Sequence, residues 1–487
     1  MTQTPAGGHQ PHPEQAMAWA GRHDWRILDL RFEAGQIFLN AWRAWKNDPQ
    51  RPRRLHYVGL SSTLIQAHQF LTLANSSPEY RALADELAPQ WHELRPGFHR
   101  FTLEQGHLLL TLCIGEMIPM LQEQQFLADE VFLNLPSALT PGTASWSRWS
   151  AKALARCCHR GTLLKVSGDA VTVRGDLAQC GFEFQATTAH EPQADGEAVL
   201  YGQFNPNWTL RAHAVVSNAR AKHPGTCAVI GAGLAGASVA SALARRGWRV
   251  QVLDRAAEPH AGASGLPVGL VVPHVSVDDC ALSRLSRAGV HLMLHEARNL
   301  LREEQDWAPS GTLERCLDGD AHQPHIWHPQ AAWLKPGQLV RAWLAQPGIT
   351  FTGAAAVASL RHNGDQWELL DTRARVLART DRVVLANACG VMPLLNQLQA
   401  AHPALVPTSQ KLPALHGVRG QVSWALHAQT PEADFPAHPV NGAGSVIPDV
   451  PFSEDQVTGR AWFVGATYQP DDQTECPDDF NHAANLA

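Results

Sequence analysis

The sequence predicts an α/β protein with two domains, and three observations indicate this fold class. The chain has 487 residues, which is too long for one ordinary hydrophobic core. Strand-like and helix-like patterns alternate through the first part, as in α/β domains built on a parallel sheet. A glycine-rich turn between an apolar strand and a helix opens the second part at Thr226.

The composition excludes a largely disordered chain, because 45% of the residues are hydrophobic and only 17% are charged. Lys and Arg number 39 against 45 Asp and Glu, which argues against nucleic-acid binding through bulk charge alone. Residues 1–222 carry 20 basic and 20 acidic side chains. The remaining 19 basic and 25 acidic side chains lie in residues 223–487, so the whole net negative charge belongs to that part.

Cysteine usage favours a reducing compartment. The nine cysteines form no C-x-x-C pair, and the adjacent Cys157 and Cys158 suit neither a disulfide framework nor a zinc site. The first residues lack an apolar signal region, and no run of 18 apolar residues occurs. We expect a cytoplasmic protein with no metal and no membrane partner.

Four regions follow from the pattern along the chain. We expect a disordered tail over residues 1–15, a first α/β domain over 16–190, a linker over 191–222 and a second α/β domain over 223–487. The apolar runs predict strands at Leu55–Leu60, Leu108–Ile114, Val131–Leu135 and Thr162–Val166, and the amphipathic runs predict helices at Ile37–Lys46 and Ser147–His159.

The strongest chemical signal is the segment 226–254. An apolar strand runs into Gly231, Gly233 and Gly236, and a small-residue helix and a second strand follow. The glycines permit a tight turn, close approach of the backbone to a pyrophosphate and close helix packing, and the helix N-terminus faces the phosphates. The second strand ends on Asp254, where a carboxylate accepts hydrogen bonds from an adenosine ribose. A glycine-rich turn without a ligand is the alternative.

Two later segments favour FAD over NAD. Asp381–Gly390 is an apolar strand followed by Ala-Asn-Ala, and it resembles the segment that returns a strand end to the dinucleotide in flavoproteins. The loop Gly262–Pro273 offers backbone amides, a hydroxyl and glycines for close approach to a cofactor. The candidate cofactor residues are Gly231, Gly233, Gly236, Asp254, Arg255, Gly262, Ser264, Gly265 and Ala386.

Several motifs together resemble a known family over about residues 25–487. They are Gly262–Pro273, Ala331–Leu344, His416–Trp424 and Val464–Asp472 in the second part, and Ala41–Leu60 and Pro96–Glu116 in the first. In this order they are similar to the MnmC-type bifunctional tRNA 5-methylaminomethyl-2-thiouridine biosynthesis proteins. The resemblance implies a Rossmann-like methyltransferase-type domain followed by a glycine-oxidase-like (DAO-type) FAD-binding α/β domain.

The resemblance also implies a pair of reactions on the wobble uridine of tRNA. The flavin half oxidises the C–N bond of a carboxymethylaminomethyl group, and water then releases the two-carbon unit as glyoxylate. The methyltransferase half methylates the exposed aminomethyl nitrogen with S-adenosylmethionine. Flavin suits the first step because it accepts a hydride while the protein positions the amine.

The first half departs from the family pattern at its cofactor loop. The family carries GFGTGLNF where this chain has Leu28–Leu39, which keeps only Gly35 and places Phe32, Glu33 and Gln36 among positions that need small residues. The acidic D-G-F turn of the family is replaced by Asn134-Leu135-Pro136. Of the N-P-x-x-W segment that follows this turn in the family, only Pro141 and Trp146 have counterparts here. Ser61-Ser62 stands where the family has a ribose-binding carboxylate. We therefore expect a folded, degenerate methyltransferase-like domain that does not use S-adenosylmethionine.

The family continues past a helix like Asn481–Leu486 into a segment that closes over the flavin, so the resemblance implies that the oxidoreductase domain is incomplete at its C-terminus. Arg419 is a candidate clamp for a substrate carboxylate, with a structural ion pair as the alternative. Two functions from other classes stay open: a flavin amine oxidase for a free small amino acid, and a non-catalytic homologue.

Two further features are candidates for tRNA contacts. A cluster of basic residues lies at Arg43, Lys46, Arg51, Arg53 and Arg54, and a solvated loop is its alternative. Trp327 and Trp333 are candidates for stacking on a base, with ordinary core packing as the alternative.

Overall fold

The structure is a computed structural model, and it describes residues 18–64, 66–74, 78–91, 94–135, 146–184, 199–209, 224–315, 325–403, 414–430, 434–454, 457–471 and 477–486. The chain divides into two compact units, residues 1–223 and 224–487. The expected tail over residues 1–15 lies outside the described residues.

The first unit is built on one eight-stranded sheet in the order β3-β4-β2-β1-β5-β6-β8-β7. In chain order its elements are β1 (Asp24–Asp29), α1 (Gln36–Asn47), β2 (Arg54–Ser61), α2 (Ala67–Ala74), α3 (Pro78–Leu87), β3 (Gly97–Leu103), β4 (Leu108–Ile114), α4 (Met117–Glu123), β5 (Ala128–Asn134), α5 (Arg148–Arg156), β6 (Cys158–Ser167), α6 (Ala170–Gln179), β7 (Phe182–Phe184) and β8 (Val199–Phe204).

The central strands of this sheet are parallel, as the sequence predicts: β1 pairs with β2 and β5, β2 with β4, and β5 with β6. Both margins are antiparallel, since β3 pairs with β4, and β8 with β6 and β7. The sheet is therefore mixed. Each face is covered by helices and has its own apolar core, one around Phe38 and Trp42 and the other around Leu28 and Val131.

Two boundaries differ from the sequence prediction. Strand β8 lies within residues 191–222, the range predicted as a linker, and it joins the sheet by antiparallel pairing with β6. The helix predicted over Ser147–His159 ends at Arg156, and the buried Cys158 already belongs to β6.

The second unit begins with β9 (Thr226–Ile230), α7 (Leu234–Arg245), β10 (Arg249–Leu253), β11 (Gly269–Val271), α8 (Ala281–Leu300), β12 (Trp307–Ala308), β13 (Thr312–Arg315), β14 (His325–His328), β15 (Ala332–Leu334) and α9 (Pro336–Leu344). It continues with β16 (Ile349–Thr352), β17 (Ser359–His362), β18 (Trp367–Leu370), β19 (Val376–Thr380), β20 (Arg382–Leu385), α10 (Val391–Ala401), β21 (Val418–Arg419), β22 (Ser423–Leu426), β23 (Val440–Asn441), β24 (Ser445–Glu454), β25 (Val457–Gly465), β26 (Gln469–Pro470) and α11 (Asp479–Leu486).

A four-stranded parallel sheet, β16-β10-β9-β20, forms the centre of this unit. Ile230 at the end of β9 is in register with Leu253 on β10 and with Leu385 on β20. The carboxyl ends of these three strands therefore lie at one edge of the sheet. Beside it lie a six-stranded sheet, β14-β13-β23-β24-β25-β22, two three-stranded sheets, β11-β15-β12 and β17-β18-β19, and the pair β21-β26.

Within the described parts of the chain, no helix combines the length and the apolar character that crossing a bilayer requires. Among the same residues, no group of three or more His, Cys, Asp or Glu side chains is arranged to hold a metal ion.

Candidate functional site

The predicted glycine turn leaves β9 at the edge of the parallel sheet. Gly231 has φ +108°, a conformation that favours glycine, and a Cβ atom built there would lie 2.5 Å from the carbonyl oxygen of Ala386. A Cβ atom at Gly236 would overlap the carbonyl oxygen of Gly231. The turn, the helix α7 and the end of β20 are thus packed backbone against backbone, as the sequence analysis expects of Gly231, Gly236 and Ala386.

Gly233 stands at the N-terminus of α7, next to the loop that contains Ser264. The Ser264 hydroxyl accepts a hydrogen bond from the backbone N–H of Leu234 over 3.0 Å. A Cβ atom at Gly233 would lie 3.0 Å from the same hydroxyl oxygen. The first turn of α7 therefore contains Gly233 and Gly236 and contacts the Ser264 hydroxyl. The helix dipole favours an anion at this N-terminus.

Asp254 follows β10 and bonds to the glycine turn itself. Its Oδ2 accepts the backbone N–H of Ala232 over 2.7 Å, and its Oδ1 accepts that of Ala256 over 2.9 Å. A carboxylate has about four lone-pair sites, so acceptor capacity for a ligand hydroxyl remains. Asp254 thus holds the turn in shape, and it lies where the sequence analysis expects the ribose-binding carboxylate.

Two residues that the sequence analysis did not select lie in the same place. Asn387 follows Ala386, and its Cα would lie 3.0 Å from a Cβ atom at Gly231. Its Oδ1 is buried and has no hydrogen-bond partner among the described residues. His260 donates its backbone N–H to the carbonyl of Ala232 over 3.0 Å, so it ties the loop after β10 to the glycine turn. Asn387 stood within the quoted Ala-Asn-Ala segment, whereas no sequence pattern marks His260.

The remaining candidates occupy different surroundings. Arg255 and Gly262 are exposed, and no atom comes within 4 Å of a Cβ built at Gly262. A Cβ atom at Gly265 would lie 2.6 Å from the His260 carbonyl oxygen. Arg419 lies on β21, in a different sheet, and its guanidinium pairs with the Asp478 carboxylate over 2.8 Å. This is the structural ion pair that the sequence analysis held as the alternative to a substrate clamp.

These residues fit a dinucleotide. Gly233 carries no side chain at the helix N-terminus, so backbone N–H groups and the Ser264 hydroxyl lie close together there, as an anion site requires. The buried Oδ1 of Asn387 is an acceptor without a donor among the described residues, as expected where a ligand supplies the donor.

Phe32, in the loop after β1 of the first unit, belongs to the hydrophobic core. Phe32 is buried, and its ring lies 6.1 Å from that of Trp91 and 5.9 Å from that of Phe38. A Cβ atom at Gly59, near the end of β2, would overlap the Phe32 ring. Glu33, the next residue of this loop, pairs with Arg31 over 2.6 Å.

Polar groups at this edge bond to one another. The buried Asp29 carboxylate accepts the Tyr57 hydroxyl over 2.7 Å and the Arg31 backbone N–H over 2.9 Å, and burial raises the pKa of Asp29 to about 6. The Asn134 side-chain oxygen accepts the Ser167 hydroxyl over 3.2 Å. Pro136 and Pro141 lie outside the described residues.

Buried carboxyls of the first unit predict a pH-dependent stability. Glu130 on β5 accepts the indole N–H of Trp25 over 3.2 Å, and burial raises the pKa of Glu130 from 4.5 to about 7. The folded state disfavours the ionised form, so stability is fully present below about pH 4.5 and falls as the pH rises through 7. We expect Glu130→Gln, which keeps the acceptor, to stabilise the protein at pH 8 by about 1–3 kcal/mol and to have little effect at pH 4.

Denaturant unfolding at several pH values measures this effect, with the exposed Glu123→Gln as the matched control. Asp29 titrates in the same range, so the slope of stability against pH should become shallower without vanishing. Parallel profiles for Glu130→Gln and the parent would contradict the prediction.

The basic cluster predicted near residue 50 is largely occupied by internal partners. Arg51 to Arg54 lie at the amino end of β2, which is the edge of the sheet opposite to the carboxyl ends of the parallel strands. The pairs are Arg43 with Glu79, Lys46 with Glu104, Arg54 with Asp24, and Arg51 with the ring of Trp45. Of the two candidate stacking residues, Trp333 is buried, whereas Trp327 is half exposed and its ring contacts that of His438.

Two protein-family models match the chain. One described as an FAD dependent oxidoreductase matches residues 226–324, and one described as an S-adenosyl-L-methionine-dependent methyltransferase matches residues 78–191. The predicted fold class, a methyltransferase-type domain followed by an FAD-binding oxidoreductase domain, is confirmed by these matches.

Curated relatives are similar over most of the chain. One is the tRNA 5-methylaminomethyl-2-thiouridine biosynthesis bifunctional protein MnmC of Albidiferax ferrireducens, 56% identical over 96% of this chain and 78% of its own length. The protein of the same name from a Polaromonas species is 42% identical over 96% of this chain and 77% of its own. Among solved structures, glycine oxidase from Geobacillus kaustophilus is similar at 16% identity and a TM-score of 0.41, over 53% of this chain and 75% of that enzyme.

Proposed function

Because this chain belongs to the family of MnmC-type bifunctional tRNA 5-methylaminomethyl-2-thiouridine biosynthesis proteins, we propose that it is an FAD-dependent oxidoreductase acting on a modified wobble uridine of tRNA. The observation that carries the proposal is 56% identity to such a protein over 96% of the chain. The glycine turn at Gly231–Gly236 supports it independently, because its geometry suits a dinucleotide.

We infer which residues would hold the cofactor from their contacts. The N-terminus of α7, with Gly233 and Ser264, would receive the pyrophosphate. Asp254 orients the turn and would accept a hydrogen bond from the ribose, and the Oδ1 of Asn387 would accept one from the cofactor. Gly262, Gly265 and the exposed Arg255 belong to the loop after β10 that covers this edge. Bound FAD supplies an acceptor for the hydride that leaves the substrate C–N bond.

The substrate in this proposal is the carboxymethylaminomethyl group. Its C–N bond is oxidised to an imine, water adds to the imine carbon, and the bond breaks to give glyoxylate and an aminomethyl group on the uridine. Arg419 stays a candidate for the substrate carboxylate, although its pairing with Asp478 means that it would have to exchange partners.

Glyoxylate release tests the proposal. We expect release from tRNA that carries the carboxymethylaminomethyl group, and much slower release from free glycine or N-methylglycine. Faster release from the free amino acids would favour the flavin amine oxidase instead. A protein without flavin that releases glyoxylate from neither substrate would be the non-catalytic homologue.

For the first unit, we infer a scaffold that does not bind S-adenosylmethionine. Support comes from Glu33, a charged residue in the loop that is glycine-rich in the family, and from Asn134, which bonds to Ser167 where the family has an acidic turn. The match of residues 78–191 to a methyltransferase model and the bifunctional name of the relatives count against the inference. We also propose a cytoplasmic location for the protein, because its proposed substrate is tRNA.

Calorimetric titration measures this directly. We expect S-adenosylmethionine to give no heat beyond dilution when titrated into the full chain, because Glu33 places a charged side chain where the family's cofactor loop has a small residue. A methyltransferase of known affinity, titrated with the same ligand stock, is the control. A dissociation constant in the micromolar range would contradict the inference and restore a bifunctional enzyme.

A further inference from the structure

Helix α5 of the first unit has an exposed face made of one aromatic and three cationic side chains. Arg148, Trp149, Lys152 and Arg156 are all exposed, and their spacing of three, four and seven residues places them along one side of a helix. The helix contains no acidic residue. We call these four residues the α5 face.

Trp149 is the most unusual member of this face, because 67% of its surface is exposed. The Lys152 ammonium lies 4.4 Å from the centre of its ring, so one side of the indole is next to a cation. A large aromatic ring kept in solvent beside cations is the arrangement that binds unpaired bases by stacking and phosphates by charge.

The α5 face stands on a rigid support. Ser147 caps the helix in a reciprocal bond with Ser150, and Ala151 and Leu154 are buried in the core of the unit. The exposed side chains can therefore be replaced without emptying the core.

Helix α5 connects the parallel strands β5 and β6 and ends at Arg156, just before β6 begins at Cys158. Its cations differ from those of the basic cluster near residue 50, which are largely paired with carboxylates.

The α5 face carries three positive charges. Arg148 and Lys152 lie near Cys180, at the end of α6, and Asp176 lies near the same thiol. Arg156 reaches the backbone carbonyl of Gln122 over 3.5 Å. The three cationic side chains make this face complementary to a phosphate backbone.

We propose that the α5 face is a tRNA-binding surface, on which Trp149 stacks with an unpaired base and Arg148, Lys152 and Arg156 contact phosphates. This inference rests on the proposed function for the choice of tRNA. The proposal assigns to the first unit a role in binding tRNA, and this role does not require S-adenosylmethionine.

Binding of a fluorescein-labelled tRNA transcript to the full chain, followed by anisotropy at several salt concentrations, tests the proposal. We expect Trp149→Ala to weaken binding about 5- to 100-fold, the range for loss of one base–aromatic stack. The triple change Arg148→Gln, Lys152→Gln and Arg156→Gln should reduce the slope of log affinity against log salt by about 2 to 3. Release of glyoxylate from a free amino acid, where it occurs, should not change.

The matched control is Arg95→Gln, an exposed cation just before β3 of the same unit and outside both the α5 face and the basic cluster near residue 50. Unchanged affinity in the Trp149 and triple variants, or an equal loss in the control, would overturn the assignment of the α5 face while leaving the oxidase proposal intact. Absence of tRNA binding by the parent protein would overturn both. Circular dichroism of each variant verifies that a loss of binding is not a loss of fold.

Discussion

Gly233→Glu should yield a folded protein that purifies without flavin. The new side chain would start 3.0 Å from the Ser264 hydroxyl and place a carboxylate at the N-terminus of α7, where the pyrophosphate is expected. Two like charges about 4 Å apart near a protein surface repel by about 4 kcal/mol, so we expect flavin affinity to fall on the order of 100- to 1000-fold. Flavin absorbance per protein in the purified variant measures the effect.

Gly289→Glu is the matched control for this change. Gly289 lies on α8 in the same unit, is exposed, and has no atom within 4 Å of a Cβ built there. The control adds the same charge and should keep the flavin content of the parent. If Gly233→Glu retained as much flavin as the control, the assignment of the glycine turn would be wrong.

Asp254→Ala has the second largest expected effect. The change removes the acceptor of the Ala232 and Ala256 amides as well as the proposed acceptor of the ribose hydroxyls. Hydrogen bonds to a charged group contribute about 1.5–3 kcal/mol, so we expect flavin to bind roughly 10- to 150-fold more weakly. Flavin-release titrations measure the change, and circular dichroism verifies the fold.

Asp254→Asn separates the two roles of this side chain. An amide keeps one oxygen acceptor for the Ala232 N–H but loses the charge, so its affinity should lie between those of the parent and of Asp254→Ala. Equal flavin affinity in all three proteins would remove Asp254 from the cofactor site and leave the glycines alone to support it.

The geometry of the glycine turn was predictable because glycines and a strand-end acid act through the local backbone. Gly231 needs its positive φ, and Gly236 needs its close approach to the preceding turn, so both requirements are visible in a short segment. The charged Glu33 in the loop after β1 was visible in the same way, whereas the packing of Phe32 against Trp91 and Gly59 was not.

Other features depend on contacts that are distant in sequence. His260 acts through its backbone and shows no pattern, and the orphaned Oδ1 of Asn387 is recognised only when its surroundings are known. Strand β8 pairs with β6 over a separation of more than 30 residues, a contact that no local pattern shows. The exposure of Trp149 contradicts the usual burial of tryptophan, so composition alone could not assign it a surface role.

The central claim is that flavin on the second unit oxidises a group carried by tRNA. Anaerobic mixing of the flavin-loaded protein with tRNA that carries the carboxymethylaminomethyl group tests it most directly, with tRNA lacking that group as the control. We predict that only the modified tRNA bleaches the flavin absorbance, and that glyoxylate appears in an amount equal to the flavin reduced. A flavin that stays oxidised with both tRNAs while free glycine bleaches it would contradict the claim.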